Sequence, residues 1–174
     1  MAKSTIVVAI IIMAIFAAIA CIVQLVSSHL HNNPEKLYDF VSAAKQLHEK
    51  IEGTGLLESI PTLTVVISQE ATDNSSETQN LIQQRTLSAK GYKDQYNWLI
   101  PTSQTMEIYE SLIKEASLIV KCYSRLYSAW SEKQAGNESQ CSQYLEEATT
   151  SYNELISLRE QNRLRLNDLL MQSR

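Results

Sequence analysis

The sequence predicts an all-α protein, one N-terminal transmembrane helix followed by an elongated antiparallel bundle of three to four helices. Three observations carry that fold class. Ile6–Val26 is an apolar run with no charged side chain, and Gln24 is its one strongly polar residue. Beyond Pro34 the apolar residues recur at steps of three and four, the period of a helix with one buried face. The whole chain holds only four Gly and three Pro, which suits long helices better than a turn-rich sheet.

The first element is the anchor, placed in residues 1–30 with its helix over about 6–26. A hydrocarbon core of about 30 Å requires roughly 20 apolar residues rising 1.5 Å each, and Ile6–Val26 has that length. Two processing signals overlap it. Ala18-Ile19-Ala20 resembles a signal-peptidase site, and Ala17 to Cys21 resembles a loose bacterial lipoprotein box that would lipidate Cys21. The apolar run continues past both through Ile22, Val23, Leu25 and Val26, which favours an uncleaved anchor. One face of the helix carries Ala14, Ala17, Ala18, Cys21 and Gln24. Small residues let helices approach closely in lipid and an amide can bond across the contact, so this face is a candidate for helix pairing. Lys3 and the amino terminus precede the run, whereas Ser27–Val41 offers Lys36 against Glu35 and Asp39. The positive-inside bias therefore expects a cytoplasmic N-terminus and an extracytoplasmic body.

The body, residues 31–174, is long enough for one domain with a core of its own. Removing Lys3 from the 15 Lys and Arg leaves 14 against 19 Asp and Glu, a formal charge of −5. That balance disfavours binding to nucleic-acid phosphates. After a short join at Ser27–Asn33, Asn33 and Pro34 suit a helix start. Leu37, Phe40, Val41, Ala44, Leu47 and Ile51 then form a single stripe, with Gly53 as its stop. Leu56–Gln69 reads either as a helix or, through TLTVVIS, as a strand; no second strand-like run exists to pair with it, so a helix is expected. Asn74 with Glu77 resembles a capping box, opening a helix through Leu81, Ile82, Ala89, Tyr92 and Tyr96, weakened at Gly91 and ended before Pro101.

A C-terminal helical hairpin is expected over 102–172, its first helix capped by Thr102 or Ser103. Met106, Tyr109, Ile113, Ala116, Val120, Tyr123, Tyr127 and Trp130 make its main stripe, and Leu112, Ile119 and Leu126 a second row. Gly136 and Asn137 form the turn. The last helix carries Cys141, Leu145, Ala148, Tyr152, Leu155, Leu166 and Leu169, a stripe interrupted at Arg159 and Asn162. Helices of about 45 Å joined so tightly must run antiparallel. In that register Cys122 lies about 12 Å from the level of Cys141, beyond disulfide reach, so two buried free thiols are expected.

Chemistry is sparse. His29 and His31 point to different helix faces, and Lys45 occupies the position three before His48 where a diiron bundle would place Glu. No Cys-x-x-Cys, nucleophile elbow or phosphate-cradling glycine loop occurs. The histidines read as solvated or interfacial, Glu146 and Glu147 as solvated surface, and no metal, cofactor or catalytic residue is expected. Tyr109, Tyr123, Tyr127, Trp130, Tyr144 and Tyr152 cluster on the hairpin, with core filling as the plain reading. Tyr92, Tyr96 and Trp98 are the candidates for lining a binding groove. Asn74-Ser75-Ser76 and Asn137-Glu138-Ser139 are glycosylation sequons in exposed turns.

The leading functional expectation is a non-catalytic, single-pass membrane protein whose outer bundle binds other proteins as an accessory or assembly component. A surface-filament subunit with the apolar helices in a fibre core is a second. Lys3-Ser4 resembles an archaeal prepilin processing site, yet Ser stands where Gly or Ala is usual, so that family is not carried over. A ligand-sensing bundle with a pocket near Tyr92 and Trp98, lipidated if Cys21 is processed, is the third.

Overall fold

The computed structural model describes residues 34–69 and 75–173, and these described residues form five helices. These are α1 (Pro34–Glu52), α2 (Ser59–Gln69), α3 (Ser75–Asn97), α4 (Met106–Gln134) and α5 (Glu138–Gln172). No strand occurs among the described residues. The anchor Ile6–Val26, its small-residue face from Ala14 to Gln24, His29, His31 and Asn74 lie outside the described residues. Within them, no helix is long and apolar enough to cross a membrane.

The hairpin is the spine. The 29 residues of α4 and the 35 of α5 extend about 43 and 52 Å. Ion pairs along their seam fix an antiparallel register: Arg165 with Glu107 at 2.8 Å, Lys114 with Glu154 at 2.8 Å and Arg125 with Glu147 at 2.8 Å. Exposed pairs of this kind add little stability, but they reject neighbouring registers. The connection is a Schellman turn: Asn137 N–H reaches Glu132 O at 2.9 Å and Gly136 N–H reaches Lys133 O at 3.1 Å. Gly136 takes the left-handed φ of +78° that this turn requires.

The remaining helices complete a four-cornered bundle. α3 packs on α4, α1 bridges α5 and α3, and α2 lies against α4 and α5. Phe40 meets Tyr109, His48 meets Glu115 and Ser59 meets Tyr123, so the chain from α1 into α2 climbs parallel to α4. Lys45 bonds Asn167, and Arg159 bonds the His48 carbonyl, which sets α1 antiparallel to α5. Lys50 sits over the Tyr92 ring and Arg85 bonds the Thr54 carbonyl, which sets α1 antiparallel to α3. The expected three to four helices become four rods, one of them broken into α1 and α2.

Several boundaries differ from the sequence expectation. α1 stops at Glu52 before Gly53, but the left-handed residue is Gly55, φ +66°. The break beyond it is anchored by Tyr123, whose hydroxyl donates to Leu56 O and lies 2.7 Å from Ser59 Oγ. Leu56–Gln69 is helical from Ser59 onward. Gly91 does not interrupt α3. α4 begins at Met106 rather than beside Thr102 or Ser103, because Thr102 N–H bonds Thr105 Oγ1 at 2.8 Å and holds a turn ahead of the helix.

The buried face of α4 also differs. Its deepest row is Ile108, Leu112, Glu115, Ile119, Cys122, Leu126 and Ala129, all essentially without exposed surface. This extends the row expected to be secondary, while Met106 and Tyr127 of the main stripe reach solvent. Cys122 and Cys141 are buried free thiols, as expected. Burial pushes the Cys122 thiol up to about 12, which removes the thiolate needed for reactivity.

Candidate functional site

The α4 row contains one carboxylate, Glu115, at the level where all four rods meet. Helical spacing from Leu112 and Ile119 turns it inward. On α5, Arg159 and Asn162 continue the face that Leu155 and Leu166 bury. On α1, His48 follows Ala44 and precedes Ile51 on the core side. On α3, Tyr96 is fully enclosed. Each rod thus contributes at least one polar side chain to a single interior layer.

Its bonds are short and directional. Arg159 Nη1 donates to Glu115 Oε1 at 2.5 Å, and Asn162 Nδ2 donates to Glu115 Oε2 at 2.8 Å. Arg159 Nη2 donates to the His48 carbonyl at 2.6 Å and lies 3.4 Å from Glu52 Oε1 nearer the surface. Ser111 Oγ donates to Asn162 Oδ1 at 2.6 Å and fixes the amide orientation. His48 Nε2 stands 3.4 Å from Glu115 Oε2, within ion-pair range but without an aligned hydrogen bond. The Tyr96 hydroxyl is buried with no hydrogen-bond partner.

The electrostatics follow from these contacts. Burial is the largest influence on Glu115 and acts to raise its pKa. The close approach of the His48 imidazole, the charge of Arg159 and the Asn162 amide together outweigh it, so the carboxyl ionises below the usual range. Burial first, and then the Glu115 charge, push the Tyr96 phenol far above its ordinary value. A general base needs a pKa near working pH and access to substrate. Glu115 has neither, since it is fully buried and held ionised. A cleft of about 260 Å³ between α1 and α5 reaches His48 but not Glu115. Among the described residues no group of three or more His, Cys, Asp or Glu is arranged to hold a metal.

The surface offers two further features. Gln83, Thr86, Leu87 and Lys90 of α3 face Val120 and Tyr127 of α4 across an apolar groove of about 410 Å³. At the end of the bundle where α1 begins, the loop after α3 leaves Trp98 83 % and Ile100 86 % exposed. That loop and Lys36, Asp39, Phe40 and Ala43 of α1 frame a cleft of about 650 Å³.

The residues singled out from sequence are dispersed. Tyr92 and Tyr96 are buried and Trp98 is exposed beyond the end of α3, so the three do not line one groove. Tyr92 stacks under Lys50, and Tyr96 faces the polar layer. Asn137 is exposed at the hairpin turn, and its side chain bonds Glu132 at 2.7 Å. Glu146 is exposed, whereas Glu147 is half-buried and pairs with Arg125. Sequence reasoning missed Glu115 altogether and read His48 as solvated or interfacial; it is 2 % exposed. The signal was present: in an antiparallel hairpin turning at Gly136, the polar interruption at Arg159 and Asn162 falls opposite Glu115. No family model matches the chain, nor does any curated protein or solved structure.

Proposed function

We propose that this chain is a non-catalytic, single-pass membrane protein, tethered by Ile6–Val26 with its N-terminus in the cytoplasm. Its helical bundle stands outside and binds other proteins as an accessory or assembly component at the cell surface. The observation that carries the binding role is the α3–α4 groove. The bundle closes its interior without Leu87, which is left 69 % exposed beside Val120 and Tyr127. Apolar surface rimmed by Gln83, Thr86 and Lys90 suits the apolar face of a partner helix. The interior layer supports a scaffold role, since its charged groups are spent on one another and have no open path to a substrate.

Photocrosslinking from position 87 in native membranes tests this reading. A discrete adduct with one protein species is expected, and Leu87→Asp combined with a probe at position 83 should abolish it. Absence of any adduct from both positions, or long detergent-resistant fibres of this chain alone, would count against it.

A further inference from the structure

We propose that the loop Trp98–Pro101 is a second membrane contact, with Trp98 and Ile100 entering the interfacial region of the lipid bilayer beside the tether. This rests on Ile6–Val26 being membrane-embedded, as proposed above. The geometry places the loop and Pro34, the first described residue after the tether, at one end. α1 begins at Pro34, its first turns flank the loop, and α1 runs parallel to α4, so Pro34, the loop and the start of α4 share that end. The seven residues Ser27–Asn33 between the apolar run and Pro34 can span at most roughly 25 Å. The bundle end therefore cannot stray far from the surface that holds Ile6–Val26.

The chemistry of this end fits lipid. Trp98 and Ile100 are the two most exposed large apolar side chains of the described residues, and Met171 in the last turn of α5 is 69 % exposed at the same end. None of the three belongs to the buried core. Tryptophan combines an apolar ring with an N–H donor and collects at the headgroup level, where one edge is wet and the other is not. Within the cleft beside the loop, Lys36 and Asp39 offset each other. The opposite tip carries Gln134, Asn137, Glu138 and Ser139, all exposed, with no comparable apolar cluster among the described residues.

The test uses the full chain in phosphatidylcholine vesicles with brominated acyl chains, compared with Trp98→Phe. The chain's other tryptophan, Trp130, sits near the far turn and is common to both proteins, so the difference in emission isolates Trp98. Expected is a blue-shifted difference emission that brominated lipid removes for the most part and aqueous iodide does not, while Trp130 is spared by bromine. Quenching by iodide alone overturns the contact. So does a Trp98 shielded from both quenchers, which points instead to protein covering the loop. Alkaline extraction of the same vesicles reports on the tether separately. A chain retained in the pellet with Trp98 unreached by bromine defeats only this inference; a chain released into the supernatant defeats the tether, and this contact with it.

Discussion

At the α4–α5 turn, every residue from Gln134 to Ser139 is exposed and polar or small, and the helix end is closed by Gly136 and its Schellman bonds. Some six turns down the hairpin the interior turns ionic at Glu115 and Arg159, and at the far end the exterior turns apolar at Trp98, Ile100 and Met171. The distal turn thus follows the ordinary rule of apolar inside and polar outside. The polar layer departs from it in the interior, and the proximal end departs from it on the surface, as does the α3–α4 groove between the two ends, where Leu87 is exposed. None of these departures reflects a shortage of core: Ile108, Leu112, Ile119, Leu126, Leu155 and Leu166 are all fully enclosed. What the contrast teaches is that core filling alone accounts for neither the layer nor the exposed end. We propose that the layer fixes which helix lies opposite which, and that the exposed end meets the membrane proposed to hold Ile6–Val26.

The contrast can be broken most forcefully in the polar layer. Glu115→Ala leaves the Arg159 guanidinium and the Asn162 amide buried without their acceptor. It should cost about 3–5 kcal/mol, read as a fall in the urea midpoint of the body. Replacing the group together, Glu115→Leu with Arg159→Met and Asn162→Leu, should return stability to near the parent value or above it. If the layer sets register, that triple variant should show broadened amide resonances despite its stability. Sharp parent-like spectra would remove the register role.

Acid sharpens the comparison next. Glu115 ionises more readily folded than unfolded, so its contribution is complete above the ordinary carboxylate range and is lost as pH falls through that range and below it. The urea midpoint should decline on acidification, and Glu115→Gln should flatten part of that decline. An equally steep decline in the variant would assign the acid sensitivity to other carboxylates. At the distal turn, Gly136→Ala forces a side chain into φ +78° and should cost about 1–2 kcal/mol, with no change in the pH profile. The smallest effect is expected at the proximal surface. Trp98→Ser should alter body stability by less than about 0.5 kcal/mol, because the ring supports nothing in the fold.

Much of the fold was legible because apolar periodicity survives without tertiary information. The stripe from Leu37 to Ile51, the hairpin with its Gly136 turn and the two free thiols all follow from local spacing. The polar layer was not, because a carboxylate in a helical row reads as surface until its partners are known. The partners of Glu115 lie 44 and 47 positions away. Arg159 and Asn162 were visible as gaps in a stripe, and setting them against Glu115 required the hairpin register. The grouping of Tyr92, Tyr96 and Trp98 failed for a simpler reason. α3 ends at Asn97, so Tyr96 points inward from the last turn while Trp98 already belongs to the loop.

The most direct measurement compares the full chain with residues 34–174 under alkaline carbonate extraction of membranes, with circular dichroism on the shorter form. The full chain should remain in the membrane pellet, and the shorter form should be released as a cooperatively unfolding helical protein. A full chain that leaves with the soluble fraction, or a shorter form that is unfolded, would contradict a self-sufficient bundle held at a membrane by its first residues.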